Sequence, residues 1–117
     1  LTTEDGLRAG AHLAELPAEE RPDAVFAAND GVALGVLTQL LRHGIRVPEE
    51  IALVGFDDVA AAHQGVVPLT SIRQPGYEIG RAAGAALLQL LADPTAAPPA
   101  PTPFPAELIV RESTVGR

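Results

Sequence analysis

Asp23-Ala24-Val25-Phe26-Ala27-Ala28-Asn29-Asp30 and Ile51-Ala52-Leu53-Val54-Gly55-Phe56-Asp57-Asp58 are the two stretches on which the fold turns. Each is a short, continuous apolar run that stops abruptly at polar residues. Runs of this length without alternation suit strands buried on both faces, as in parallel sheets. Between them, Ala33, Val36, Leu37 and Leu40 fall on one helical stripe. Leu34 and Leu41 widen the apolar arc beyond that stripe. Gly44 fits the left-handed position after the helix, and Pro48 follows the stop. Strand, helix, strand in this order gives a right-handed βαβ unit.

Upstream, Thr2-Thr3-Glu4-Asp5 reads as a helix start, with a hydroxyl cap ahead of acids that meet the helix dipole. Leu7, Ala11, Ala14 and Leu16 follow at roughly helical spacing until Pro17. Downstream, residues 59–67 read as a helical turn and a loop, and Leu69-Thr70-Ser71-Ile72-Arg73 as a third strand broken at Gln74-Pro75-Gly76. Residues 77–92 are strongly helical, 94–105 form a Pro-rich, polyproline-like connector, and 106–111 return to strand character. The fold class is therefore α/β: a parallel sheet with flanking helices.

Composition removes several functions. The 117 residues carry a net charge of -7, and an acidic surface repels phosphate, so nucleic-acid binding is not expected within this chain. There is no Cys, hence no disulfide framework and no thiolate chemistry. All 8 basic residues are Arg, which excludes a P-loop or Schiff-base lysine. No run of about 18 apolar residues suggests a membrane span. His12, His43 and His63 are scattered, no Asp-rich calcium loop occurs, and no metal is expected. A nucleophile elbow is missing too. Glycoside hydrolysis needs two carboxyls about 5 or 7–9 Å apart, whereas adjacent acids such as Asp57 and Asp58 usually point apart.

The polar residues at the strand ends are the informative feature. In a parallel α/β sheet the C-terminal strand ends open onto the crevice where ligands bind. Asn29-Asp30 and Asp57-Asp58 supply amide donors and carboxylate acceptors there, which suits a polyhydroxyl ligand. Asp30 reads better as a helix cap and Asp58 is evenly balanced between loop cap and ligand contact; Asn29 and Asp57 favour the ligand. Gly76, Gly80 and Gly84 repeat every four residues, and leave open both a groove for close packing and simple tolerance in an Ala-rich helix.

In order along the chain, 23–30, Ala33-Leu34-Gly35, Gly44-Ile45-Arg46-Val47-Pro48-Glu49-Glu50-Ile51, 54–58, Pro68-Leu69-Thr70-Ser71-Ile72-Arg73-Gln74-Pro75 and Leu108-Ile109-Val110-Arg111-Glu112-Ser113-Thr114 resemble the C-terminal part of the effector-binding domain of LacI/GalR-type transcription regulators. The resemblance covers nearly the whole chain. It implies part of a type I periplasmic-binding-protein-like fold, in which two α/β subdomains hold a ligand between them. It implies effector contacts by Asn29 and Asp57, places Gln74 in the lining of the same cleft and Phe56 at an aromatic position beside it, and matches Leu34 and Leu41 to a twofold dimer interface; Asp58 joins the ligand-binding candidates from its strand-end position. On this resemblance 1–73 and 106–117 make up the C-terminal subdomain, and 74–105 is a crossover helix and linker belonging to its partner subdomain. The chain then reads as a fragment, an expectation that its start at Leu1 and its opening helix also suggest. The apolar stripe Ile79, Ala83, Leu87, Leu90 and Leu91 is expected to pack on a second copy, swap, or repack on its own sheet.

The implied function is sensing: a small, sugar-like effector shifts the balance between subdomain orientations and so controls DNA binding by a helix-turn-helix domain that these residues do not contain. No cofactor, no catalysis and a cytoplasmic location follow from it. A sugar-binding protein of a transport system is the alternative with the same fold, distinguished by a signal peptide in place of a helix-turn-helix upstream. An α/β enzyme using the strand-end acids is a third.

Overall fold

The computed structural model describes residues 1–95, 97, 100–101 and 103–116. Its elements in chain order are α1 (Thr3–Glu15), β1 (Ala24–Phe26), α2 (Asp30–Arg42), β2 (Ala52–Phe56), α3 (Ala60–Gln64), β3 (Thr70–Arg73), α4 (Gly76–Ala92) and β4 (Glu107–Ile109), with 3₁₀ turns at Ala18–Glu20 and Glu112–Thr114. The strand order is β1-β2-β3-β4. The β1/β2 and β2/β3 pairs are parallel, with Val25 opposite Leu53 and Gly55 opposite Ser71. The chain divides into two compact units, one made of Leu1–Arg73 with the stretch from Leu108, the other of Gln74–Glu107.

In the first unit, Ala33, Val36, Leu37 and Leu40 are all buried, as their spacing requires. They meet Leu53 of β2 and Leu69 just ahead of β3 in one apolar cluster that also takes in Ile45, Val47 and Ile51. Gly44 has φ 72° and ends the α2 turn in the left-handed region. At the head of α1 the Thr2 hydroxyl accepts from the Asp5 N–H at 3.3 Å, and the Asp5 carboxylate accepts from the Thr2 N–H at 2.8 Å, a reciprocal capping box.

Two expectations about burial are corrected. β1 is not buried on both faces. Val25 packs against the core, but Phe26 is 63% exposed and Ala24 is exposed as well. A strand at the end of the strand order with one open face yields the same apolar run as a doubly covered one, so composition alone does not separate the two cases. Of the α1 stripe Leu7, Ala11, Ala14 and Leu16 only Ala14 is buried; the rest of the buried face is Gly6 and Gly10. A Cβ at Gly6 would stand 2.1 Å from the Val32 carbonyl oxygen, and one at Gly35 would stand 2.4 Å from that of Thr3. Backbone therefore meets backbone where α1 crosses α2. Among the described residues nothing lies within 4 Å of a Cβ at Gly76, Gly80 or Gly84.

The C-terminal turn is stitched into the first unit. Ser113 is fully buried; its hydroxyl donates to the Leu53 carbonyl at 2.6 Å and accepts from the Thr70 N–H at 2.8 Å. The Arg111 side chain donates to the Leu69 carbonyl at 2.7 Å. In the second unit no α4 residue is buried: Ile79 and Leu90 are partly covered, while Leu87 and Leu91 are exposed. An open groove of about 460 Å³ runs between Ile79, Ala82, Ala86 and Gln89 on one side and Phe104 on the other. The polyproline-like reading of 94–105 falls partly on residues 96, 98, 99 and 102, and that of the last strand's subdomain on 117; these lie outside the described residues. Among the described residues no helix is long and apolar enough to cross a membrane.

Candidate functional site

Because β1, β2 and β3 are parallel, their C-terminal ends face the same way, and the loops that follow them carry Asn29, Asp57-Asp58 and Gln74. Asn29 has extended backbone, φ -157°, and is the N-cap of α2. Its side-chain oxygen accepts from the Val32 N–H at 2.8 Å, and its amide nitrogen donates to the Leu1 carbonyl at 3.3 Å. The capping role expected of Asp30 thus belongs to Asn29. Both residue types cap well, and only the backbone angles decide which one stands just outside the helix.

Asp30 lies one step further in and is wholly buried. Its Oδ1 accepts from the Ser71 hydroxyl at 2.6 Å and its Oδ2 from the Val59 N–H at 2.8 Å. The Ser71 oxygen in turn accepts from the Asp58 N–H at 3.1 Å. Gly55 makes room for this carboxylate, since a Cβ there would come within 2.2 Å of Oδ1. From residue order alone Asp30 reads as a helix cap and Ser71 as an ordinary strand residue. The only signal was a carboxylate beside a strand-end Asn with a glycine on the neighbouring strand.

Asp57 is exposed, with φ 104°, and Asp58 follows with φ 53°. Non-glycine residues rarely adopt such angles, and consecutive ones need outside support. The Asp57 N–H donates to the Ile72 carbonyl at 2.9 Å. Phe56 is half-buried at the end of β2, and Gln74, exposed, is the first residue of the second unit.

Asp58 is placed differently from its neighbour. Its side chain is only 2% exposed and faces Arg73 and Arg111. Arg73 Nε donates to Oδ2 at 2.7 Å and Nη2 lies 2.6 Å from the same oxygen. Arg111 Nη2 is 2.6 Å from Oδ1, an ionic contact rather than an aligned hydrogen bond, and His63 Nε2 is 3.2 Å away. Burial pushes the Asp58 carboxyl up, but the Arg111 and Arg73 guanidiniums together outweigh it and hold the group below the ordinary carboxylate range. The Asp58 oxygens thus lie in an internal ion cluster with the Arg73 and Arg111 guanidiniums, unlike the exposed Asp57. Leu34, half-buried, and Leu41, exposed, lie on α2 away from the stripe that faces the sheet.

The model of the periplasmic binding protein-like domain family matches residues 2–114. This chain belongs to that family. Within it, the similarity is to LacI-type transcription regulators, whose effector-binding domain shares this fold. The HTH-type transcriptional repressor CytR of Escherichia coli is 45% identical over 87 residues, 74% of this chain and 25% of CytR. A LacI-type transcription regulator from Bifidobacterium animalis superposes with a TM-score of 0.84 at 35% identity over 97% of this chain and 40% of the regulator. A LacI-family regulator from Lactobacillus casei, solved with sucrose bound, superposes with a TM-score of 0.82 at 38% identity over 97% of this chain and 41% of that one. The chain thus spans about a quarter of the length of CytR. As a periplasmic-binding-protein-like chain, it carries strand-end polar groups at the place where parallel α/β sheets receive ligands.

Proposed function

We propose that this chain is the effector-sensing part of a bacterial transcriptional regulator, and that it binds a small polyhydroxyl ligand, sugar-like in chemistry, through Asn29, Asp57 and Phe56. The observation that carries the reading is the pairing of Asn29 and Asp57 on loops after adjacent parallel strands, one side chain an amide and the other a carboxylate. Such a pair meets hydroxyls that both give and accept hydrogen bonds, beside an aromatic ring that covers the apolar face of a sugar. The sucrose complex of the Lactobacillus casei regulator supports the ligand class. Gln74 enters the proposal through the family resemblance alone. Binding favours one domain orientation and so changes DNA binding by a helix-turn-helix domain of the same cytoplasmic regulator; no bond is made or broken.

The test is a thermal-shift screen of glucose, sucrose, cellobiose and nucleosides on the full-length protein. At least one is expected to raise the melting temperature with the logarithm of its concentration. Asp57→Asn, which keeps the size and removes the charged acceptor, is expected to weaken that ligand by roughly tenfold or more. Equal binding by wild type and variant removes Asp57 from the site. A turnover of the ligand that the variant abolishes points to an enzyme instead.

The same reading includes a twofold homodimer with Leu34 and Leu41 of α2 in the interface. An exposed leucine at the edge of a broad apolar arc supports it. Sedimentation of the full-length protein is expected to shift from dimer toward monomer on Leu41→Glu; an unchanged sedimentation coefficient places the interface elsewhere.

A further inference from the structure

We propose that Asp30 and Ser71 are positioning residues for the effector site, holding the Asp57 loop in its left-handed conformation and tying it to the turn that carries Asn29. The inference rests on the effector reading above and adds to it the device that keeps the two ligand side chains in register.

Three consecutive amides, those of Asp57, Asp58 and Val59, are each assigned an acceptor inside the first unit. Asp57 N–H goes to the Ile72 carbonyl, Asp58 N–H to the Ser71 hydroxyl, and Val59 N–H to the Asp30 carboxylate. The first partner is ordinary sheet continuation. The other two are side chains, and they are bonded to each other at 2.6 Å. These bonds span the two residues whose φ angles, 104° and 53°, need support. The hydroxyl uses both its capacities, donating to Asp30 and accepting from Asp58, so neither side chain can turn away without stranding a buried partner. Two features preset the carboxylate. It sits in the first turn of α2, where the helix dipole favours negative charge. It also occupies the space left by Gly55, where a Cβ would stand 2.2 Å from its Oδ1.

Asn29 precedes Asp30 and is itself held by its bond to Val32 N–H in the same turn. One turn of α2 therefore fixes the amide directly and the Asp57 carboxylate through Ser71 and the 57–59 backbone. A ligand that reads both meets a preset spacing rather than two independent loops, and less ordering is left to occur on binding.

The test is residue-resolved NMR on the full-length protein, and it needs no ligand. In Asp30→Ala the Val59 and Asp58 amides are expected to exchange roughly tenfold faster or more, and the couplings and carbon shifts that mark positive φ at Asp57 and Asp58 are expected to fade. Leu53, in the middle of β2, keeps its rate. Asp30→Asn, which can still offer a carbonyl oxygen to Val59, restores that amide. Ser71→Ala, a smaller change that decides the matter if Asp30→Ala does not fold, is expected to accelerate Asp58 selectively and leave Val59 protected. Wild-type rates and φ signatures at 57–59 overturn the proposal, as does acceleration at Leu53 equal to that at Asp58. Failure of the wild-type protein to bind any saccharide removes the effector reading and leaves these amide signatures untouched, so the two ideas fail separately.

Discussion

Replacing Asp58 by alanine is expected to destabilise the chain by about 3 kcal/mol, because removing one partner of a buried ion cluster strands the charges it served. The value sits at the low end of the range for buried pairs for a structural reason. Arg73 is half-exposed and can return to water, whereas Arg111 is 13% exposed and also holds the Leu69 carbonyl. The cost should therefore fall on Arg111, and Arg111→Met in the Asp58→Ala background is expected to recover part of it. Urea unfolding of the four proteins in that cycle measures the coupling. Additive losses would show that Asp58 and Arg111 do not depend on each other.

The same cluster sets a pH dependence. Asp58 is held below its ordinary value of 3.8 in the folded chain. A carboxyl with a lowered folded pKa binds fewer protons folded than unfolded, so it stabilises the fold above the unfolded pKa and loses that contribution as pH falls through the folded one. The stability gap between wild type and Asp58→Asn should be full above about pH 5 and close progressively below it. A gap that stays constant from pH 6 down to pH 3 would mean that the charge of Asp58 contributes nothing.

What the amino-acid order conveyed, and what it did not, follows from how each feature is encoded. The α2 stripe is a periodic pattern of large apolar side chains, and each of its four members is buried. The positions of Asn29 and Asp57 follow from the polar residues that close each apolar run: Asp57 comes directly after β2, and Asn29 follows β1 by way of Ala27 and Ala28. The α1 face was hidden: Gly6 and Gly10 carry no apolar side chain, so a periodicity built from hydrophobic residues sees the neighbouring leucine and alanines instead. The fate of Asp58 was hidden for another reason. Its partners Arg73 and Arg111 lie on later segments, and only the chain's return after β4 brings Arg111 to it. Asn29 rather than Asp30 caps α2, which residue type could not decide because the two have nearly equal cap preference. Ser71 lay inside a strand that read as β from its apolar and β-branched neighbours, and nothing local marked its hydroxyl as the partner of a carboxylate on α2.

The glycine crossing leads to the other large effect. Gly6→Ala would normally stabilise a helix interior by about 1 kcal/mol. Here the added methyl would stand 2.1 Å from the Val32 carbonyl oxygen and 2.9 Å from its carbon atoms, all of them backbone of α2. No side chain can swing aside; the helices must separate, and the core beneath them with Val36 and Leu40 loosens. Overpacking of this kind costs about 3 kcal/mol, more than the propensity gain returns, so the net effect is a loss of about 2 kcal/mol. Gly35→Ala meets the Thr3 oxygen at 2.4 Å from the other side of the same crossing, so it should lose stability similarly. The two together should cost less than their sum, since one separation relieves both. Gly80→Ala is the control: with nothing within 4 Å it should raise the helicity of α4. Circular dichroism and urea unfolding of the three single variants decide the matter. A stabilised Gly6→Ala would mean that α1 and α2 can part without cost, and that the crossing is not what holds the first helix to the sheet domain.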